Sequence, residues 1–291
     1  LVEPGNFDYH LKRLMQCDWI IEAVVEDLAI KRELWSRIAK VWKPGTPATT
    51  NTSGIPLAQI AEKFPAELKR CFFGTHFFNP PRYLHLVELI PGPESDSALM
   101  DDIAEFCDLR LGKGVVPCKD TPNFIANRIG SFFGSTVLQL LMDHDFTVEQ
   151  VEALTGPVIG LPKSATFRLL DIVGLDVWDF VSRNLYELVP EDPWRDRFLP
   201  PPFLSAMLER GWKGQKTGQG FYQRVGPQKE IHAIDWKTLE YHPAAKPRLP
   251  ELDAVKGLDS LEERLRRLVE GDGPAARFYW MRAGCREPLT E

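Results

Sequence analysis

Two short segments hold the residues whose types and spacing best suit catalysis. One reads Gly74-Thr75-His76-Phe77-Phe78-Asn79-Pro80-Pro81, the other Leu84-His85-Leu86-Val87-Glu88-Leu89-Ile90. His76 falls at the carboxyl end of an apolar run, beside two aromatic residues. Glu88 sits in the middle of another run, where strand alternation puts it on the same side as Leu86 and Ile90. A carboxylate among apolar side chains is costly unless it is paired. An imidazole is a natural partner, because a carboxylate fixes its tautomer and raises its affinity for a proton. That is the arrangement a general base needs. Taken singly, each residue has a plainer reading: His76 as a satisfied structural histidine, Glu88 as an edge-strand carboxylate. Metal chemistry is less well supported, since His76 and His85 are the only nearby histidines and no carboxylate stands at ligand spacing on a shared helix.

Two further segments supply polar side chains. Thr50-Asn51-Thr52-Ser53-Gly54 sets small hydroxyl and amide groups just past a predicted strand, where open parallel sheets bind ligands. The same residues also make ordinary turns. In Lys119-Asp120-Thr121-Pro122-Asn123-Phe124-Ile125-Ala126-Asn127-Arg128, Thr121 caps a predicted helix with Pro122 at its first position. Asn127 then falls one to two turns into that helix, facing either a domain crevice or solvent. No phosphate loop accompanies these segments. Gly218-Gln219-Gly220 is followed by Gln223 where a third glycine would stand, with no strand before it, and Gly112-Lys113-Gly114 lacks the upstream glycine of a P-loop.

A sheet is needed to position these groups, and the first ~120 residues have its rhythm of short apolar runs alternating with amphipathic helices. Strands are predicted at 18–25, 46–51, 70–75, 84–90 and 115–118. Between them lie a helix with Leu28, Leu34, Trp35, Ile38, Val41 and Trp42 on one face, a second opening at Pro56, and a third through Leu99, Ile103, Phe106 and Cys107 that ends near Gly112. After Asp120 the pattern becomes helical, with a capping box at Thr147-Val148-Glu149-Gln150 and helices near 166–172, 177–188 and 202–210. No strand is convincing there. From Val225 the chain is Pro-rich and charged, and only 258–269 carries a helical stripe, whose partner is missing. The expected fold class is therefore α/β plus all-α, an incomplete doubly wound parallel sheet (1–119), a helical domain (120–224), and a linker with a partial helical extension (225–291).

Composition narrows the function classes. The chain has 291 residues. A typical domain of about 150 residues makes that about two domains. With 44% hydrophobic residues, wholesale disorder is excluded. Thirty-five basic against 41 acidic residues leave −6, which argues against a general nucleic-acid binder. The five cysteines, Cys17, Cys71, Cys107, Cys118 and Cys285, form no Cys-x-x-Cys pair. Free thiols in a reducing, cytoplasmic setting are expected. The longest apolar stretch, 129–142, is too short and too polar to span a bilayer. The first residues carry no signal-like core, and without a starting Met the chain reads as an excerpt of something longer.

At the residues singled out above, the sequence resembles the 3-hydroxyacyl-coenzyme A dehydrogenases. The matching segments are DWIIEAVVEDLAIKRELW, TNTSG, GTHFFNPP, LVELI, KDTPNFIANRI, LLDIVGLD and GQKTGQGFY, in the family's order over about residues 15 to 224. Later text, IDWKTLEYHP and KPRLPEL, looks like longer, multifunctional bacterial members that often add an enoyl-coenzyme A hydratase domain. The resemblance implies NAD-dependent oxidation of (S)-3-hydroxyacyl-coenzyme A in fatty-acid β-oxidation. It implies His76 as the base, Glu88 as its partner, and Ser53 and Asn127 as the residues that hold the reacting oxygen and the base. Glu26, Lys31, Ser53, Asn79 and Lys216 would contact the cofactor. It also implies a homodimer paired through the helical domain.

The resemblance further implies a strand, a Gly-x-Gly-x-x-Gly turn and a ribose-binding acid that would precede Leu1. The chain as written is accordingly expected to hold NAD weakly, and to look truncated at its C-terminal end as well. Asn123 stands where many relatives carry Gly. Two other readings compete: a non-catalytic acyl-coenzyme A-binding and dimerisation fragment, and a dehydrogenase of free 3-hydroxy acids. Turnover of thioesters against free acids separates them.

Overall fold

The computed structural model describes residues 2–282, so Cys285 and the tail after Arg282, for which no helical stripe is expected, lie outside the described residues. The chain forms two compact units that divide between Arg128 and Ile129.

The first unit is built on a five-stranded sheet in the order β1 (Ile20–Glu22), β2 (Ala48–Thr50), β3 (Phe72–Phe77), β4 (Leu86–Pro91), β5 (Gly114–Pro117). β1, β2 and β3 are parallel, and so are β4 and β5, but β4 runs antiparallel to β3. No helix stands between β3 and β4, and so short a connection joins only antiparallel neighbours. Helix α1 (Leu28–Ile38) is capped by Asp27, whose side chain accepts from the Ile30 N–H. Helices α2 (Leu57–Ile60) and α3 (Ala66–Cys71) each follow a proline. The strand predicted at 70–75 therefore starts two residues late, because Ala-Glu-Leu-Lys-Arg-Cys after Pro65 is taken by α3. Helix α4 (Ser97–Leu111) begins at an Asp96 cap and stops at Gly112, whose φ of 62° suits glycine.

Strand alternation splits the core of this unit. Phe72 packs with Trp35, Phe64, Leu57 and Ile60 on one side, and Phe73 with Val87, Leu89 and Ile103 on the other. Trp35, Phe64 and Phe72 meet at ring separations of 4.9–5.5 Å. Each fully buried ring of this kind is worth roughly 1.5–3 kcal/mol of transfer free energy.

The second unit takes up helix α5 (Ala126–Asp143) after its first three residues, followed by α6 (Val148–Leu154), α7 (Phe167–Val173), α8 (Leu175–Leu188) and α9 (Pro202–Glu209). Thr147 and Gln150 close the predicted capping box. Beyond α9 the expectation of a linker is corrected. β6 (Tyr222–Val225), β7 (Glu230–Asp235) and β8 (Glu240–Pro243) form an antiparallel sheet. These strands have only four to six residues and carry charged side chains, so the period-2 signal is faint; their turns rest on Lys229 and Leu239 at φ 54° and 57°. Then come α10 (Pro250–Val255), α11 (Leu261–Glu270) and α12 (Pro274–Arg282). The 258–269 stripe has its partner within the chain: Leu268, Val255, Ala275 and Phe278 join the core of this unit around Val137, Leu141, Phe167 and Phe221. Among the described residues no helix is long and apolar enough to cross a membrane.

Candidate active site

His76 and Glu88 are directly opposed across the β3–β4 ladder. Both are buried, and His76 Nδ1 lies 2.7 Å from Glu88 Oε2. The other carboxylate oxygen, Oε1, accepts from the backbone N–H groups of Ile125 and Ala126 at 3.0 and 2.7 Å. Ala126 opens α5, so Glu88 caps that helix from the sheet, where the positive end of the helix dipole favours an anion. Burial alone would push the Glu88 carboxyl up; the His76 contact and the two amides outweigh it and hold the carboxyl below its ordinary value. An ionised Glu88 accepts only, so Nδ1 carries the proton and Nε2 presents its lone pair. Nε2 has no partner among the described residues and is not one of their sealed-off polar atoms. Phe78 and Phe124 flank the imidazole at 4.5 and 5.5 Å.

The helix expected from Thr121-Pro122 is corrected: α5 starts at Ala126, four residues later. Asn123 and Phe124 adopt left-handed backbones, φ 59° and 50°. No α-helix accommodates such residues. For a bulky, buried Phe124 this is strained, and such strain persists where the surroundings over-determine it. Asn is among the few residues that enter this region readily. Asn127 is thus the second residue of α5, half-buried, rather than one to two turns in.

Ser53 sits in a loop organised by Glu26. One Glu26 oxygen, Oε1, accepts from the Thr52 hydroxyl at 2.5 Å and from the N–H groups of Ser53, Gly54 and Ile55 at 2.9, 3.0 and 3.3 Å. Burial raises its pKa, but Thr52, Lys31 and the amides prevail and hold it below the ordinary carboxylate value. Lys31, expected to touch a cofactor, is fully buried behind Glu26, with its Nζ 3.4 Å from Glu26 Oε2 and 2.8 Å from Glu22 Oε1. Asn79 is exposed just past β3. Lys216, in the second unit, pairs with Asp176, whose carboxyl it holds down against the effect of burial.

Sequence reasoning missed Glu22, which is buried at the end of β1. The signal for it was present: Lys31, Leu34, Trp35 and Ile38 share the i, i+3, i+4, i+7 face of α1, and a lysine on a buried face needs an acid. Asn51, the amide of the polar segment expected past β2, accepts on its Oδ1 from the Phe77 N–H at 2.8 Å and ties the Ser53 loop to the end of β3. A cavity of about 750 Å³ lies in the second unit, lined among others by Glu149, Glu152, Arg168, Asp171, Tyr222 and Lys246; no predicted site residue lines it. Burial pushes Glu152 up to about 7 and Asp171 to about 6. No cluster of three or more metal-ligating side chains occurs among the described residues.

Residues 1–121 match the family model described as 3-hydroxyacyl-CoA dehydrogenase, NAD binding domain, and residues 124–224 match that of the 3-hydroxyacyl-CoA dehydrogenase C-terminal domain. The chain belongs to the 3-hydroxyacyl-CoA dehydrogenase family. Within that family it is 42% identical over 279 residues to a "Probable 3-hydroxyacyl-CoA dehydrogenase" of Bacillus subtilis, covering 96% of this chain and 35% of the relative. A protein of the same description from Deinococcus radiodurans is 40% identical over 229 residues, covering 79% of this chain and 65% of that one. The crystal structure of M. tuberculosis FadB2 matches with a TM-score of 0.64 and 32% identity, covering 74% of this chain and 73% of that one. The chain thus spans about a third and about two thirds of the lengths of these two curated relatives.

Proposed function

We propose that this 3-hydroxyacyl-CoA dehydrogenase chain carries the base of a thioester dehydrogenase, oxidising the 3-hydroxyl of an acyl-coenzyme A to a 3-oxo group. The observation that carries the reading is the His76–Glu88 pair, sealed on one side by the α5 amides and open at Nε2. His76 Nε2 takes the hydroxyl proton as the C3–H bond breaks. Glu88 stabilises the imidazolium that forms, so no free alkoxide is needed; a positioned base of this kind is worth ~10²–10⁴ in rate. Ser53 and Asn127 hold the reacting oxygen. Bound NAD supplies the hydride acceptor at C3.

The donor set at the strand ends suits the nicotinamide half of that cofactor. Glu26 is ionised with its side chain 35% accessible, and Asn79 is exposed at the β3 end, so an acceptor and an amide are available to a carboxamide. Lys31 acts from behind Glu26. Lys216 is the remaining candidate for contact with the cofactor.

Pairing of two copies through the helical unit is part of the proposal. It is supported by outward apolar side chains on α7 (Leu169, Ile172, Val173) and α8 (Val177, Phe180), all of them exposed. Apolar patches left open in this way usually mark interfaces. Cys17, Cys71, Cys107 and Cys118 are free thiols, in keeping with a reducing, cytoplasmic setting. Loss of NADH absorbance on adding acetoacetyl-coenzyme A to the natural full-length protein tests the activity. No turnover would favour a non-catalytic acyl-coenzyme A-binding role, and turnover of free 3-oxo acids alone would reassign the substrate.

A further inference from the structure

We infer that Glu22 is a positioning residue for the Ser53 loop, acting through Lys31 and Glu26. This rests on the dehydrogenase reading above for its kinetic consequence, though not for its structural one. Glu22 closes β1 and its carboxylate is saturated. Oε1 accepts from the Val24 N–H at 2.7 Å and from Lys31 Nζ at 2.8 Å, while Oε2 accepts from the Thr50 hydroxyl at 2.7 Å. Its backbone oxygen accepts from the Asn51 N–H at 2.7 Å. Glu22 therefore fixes both ends of a short relay: the carboxyl end of β2, from which the Ser53 loop departs, and the ammonium of Lys31.

Lys31 passes the constraint on. It has no solvent, and beyond Glu22 its Nζ meets Glu26 Oε2 at 3.4 Å and the Val24 carbonyl at 3.5 Å. A buried ammonium with one carboxylate removed turns fully to the other. Glu26 gathers four donors from residues 52–55 on Oε1, and any swing of its carboxylate toward Lys31 is transmitted to those amides. The loop position of Ser53 is thus set by a balance, Lys31 held between two acids, and not by loop contacts alone. A purely structural ion pair would predict something simpler: removing both charges leaves a stable fold and an unchanged loop, as replacement of buried pairs often leaves stability intact.

The test uses the natural full-length protein in three forms: wild type, Glu22→Gln, and Glu22→Gln/Lys31→Met. Glutamine keeps an acceptor for Thr50 or Val24, and methionine fills the space of the lysine stem. Amide exchange across residues 51–57 is the first readout. In Glu22→Gln the protection of the Ser53, Gly54 and Ile55 amides is expected to fall at least about tenfold, with β3 and β4 unchanged. Steady-state kinetics is the second, with kcat down about 10–100-fold and KM for acetoacetyl-coenzyme A within about threefold. The double variant is expected to regain melting temperature but neither loop protection nor kcat. Unchanged protection in Glu22→Gln, or a double variant that recovers kcat along with stability, overturns the inference. If wild type turns over no thioester, the dehydrogenase reading fails, and the exchange measurement still decides the role of Glu22.

Discussion

Replacing Glu88 by glutamine keeps the shape of the side chain and removes its charge, and the hydrogen bonds around it set the consequence. Glu88 serves three donors, His76 Nδ1 at 2.7 Å and the Ala126 and Ile125 amides at 2.7 and 3.0 Å. Glutamine has one carbonyl oxygen and one NH2. If the oxygen stays with the two amides, the NH2 faces Nδ1, which must then accept; the ring proton moves to Nε2 and the base loses its lone pair. If the group flips, two helix N–H groups face a donor, at about 1–3 kcal/mol each. The first orientation prevails. The imidazolium also loses one charge-assisted hydrogen bond worth about 1.5–3 kcal/mol, roughly 10–150-fold in rate at about 1.36 kcal/mol per decade. The wrong tautomer adds to this, so kcat is expected to fall about 10²–10⁴-fold while KM changes less than about threefold. NADH absorbance with acetoacetyl-coenzyme A measures it in the full-length protein, with thermal melting to show that the variant is folded. A folded Glu88→Gln protein retaining more than about a tenth of wild-type kcat would refute the assignment of tautomer and base.

Three further outcomes are expected. Asp171 has a folded-state pKa raised from 3.8 to about 6 by burial, so its native form prefers the proton. Its contribution to stability is lost as pH rises from about 4 to about 6 and is flat above. Denaturant unfolding should show this as roughly 1 kcal/mol per pH unit in that window, absent from Asp171→Asn; the same slope in both proteins rejects it. Asn123→Gly should be neutral in stability. Asn123→Val, forced into the same left-handed backbone, should lose at least about 1–2 kcal/mol, and an equally stable valine variant would remove the backbone requirement. Phe180→Glu, at an exposed position on α8, should convert a sedimenting dimer to monomer with little change in melting temperature; a dimer that persists moves the interface elsewhere.

How far the sequence could be read depended on whether a residue's partner lay nearby in pattern or only in space. The His76–Glu88 pair was legible because both residues sit in apolar strand runs, where alternation fixes which way they face, and the ladder places them opposite each other. The positions of the strands in the first unit and of several helices in the second followed from periodicity in the same way, but the order of the strands and the antiparallel course of β4 against β3 did not. The start of α5 was not legible. Thr121-Pro122 has every local mark of a helix start, but Asn123 and Phe124 turn left-handed and the cap is supplied from the sheet by Glu88, 37 residues before Ile125. The β6–β8 sheet hid for a different reason, since its short strands are half polar and its turns place Lys229 and Leu239, besides Gly226, at positive φ. Glu22 was legible only through its partner: Lys31 on the buried face of α1 calls for an acid, but which acid meets it is settled in space and not by local pattern.

The carboxylates of this chain show why burial by itself does not mark a functional acid. Glu26, Glu88, Glu152 and Asp171 all take backbone amides at helix or strand starts or in loops, and burial is the largest influence on each. They nevertheless divide. In Glu152 and Asp171 burial wins and the carboxyls rise to about 7 and about 6, since backbone amides and the exposed Arg168 do not repay the lost hydration. In Glu26 and Glu88 burial loses, because each has in addition a side-chain donor and a cationic or protonatable neighbour, Thr52 with Lys31 in one case and His76 in the other. A carboxylate that must stay ionised to hold an imidazolium needs that second kind of partner, since amides alone leave it prone to take the proton itself. The division follows the partner and not the unit, since Asp176 in the second unit is also held down, by Lys216. Glu26 and Glu88, held ionised, hold the Ser53 loop and His76, while Glu152 and Asp171, pushed toward protonation, anchor α7 and β6 as scaffold.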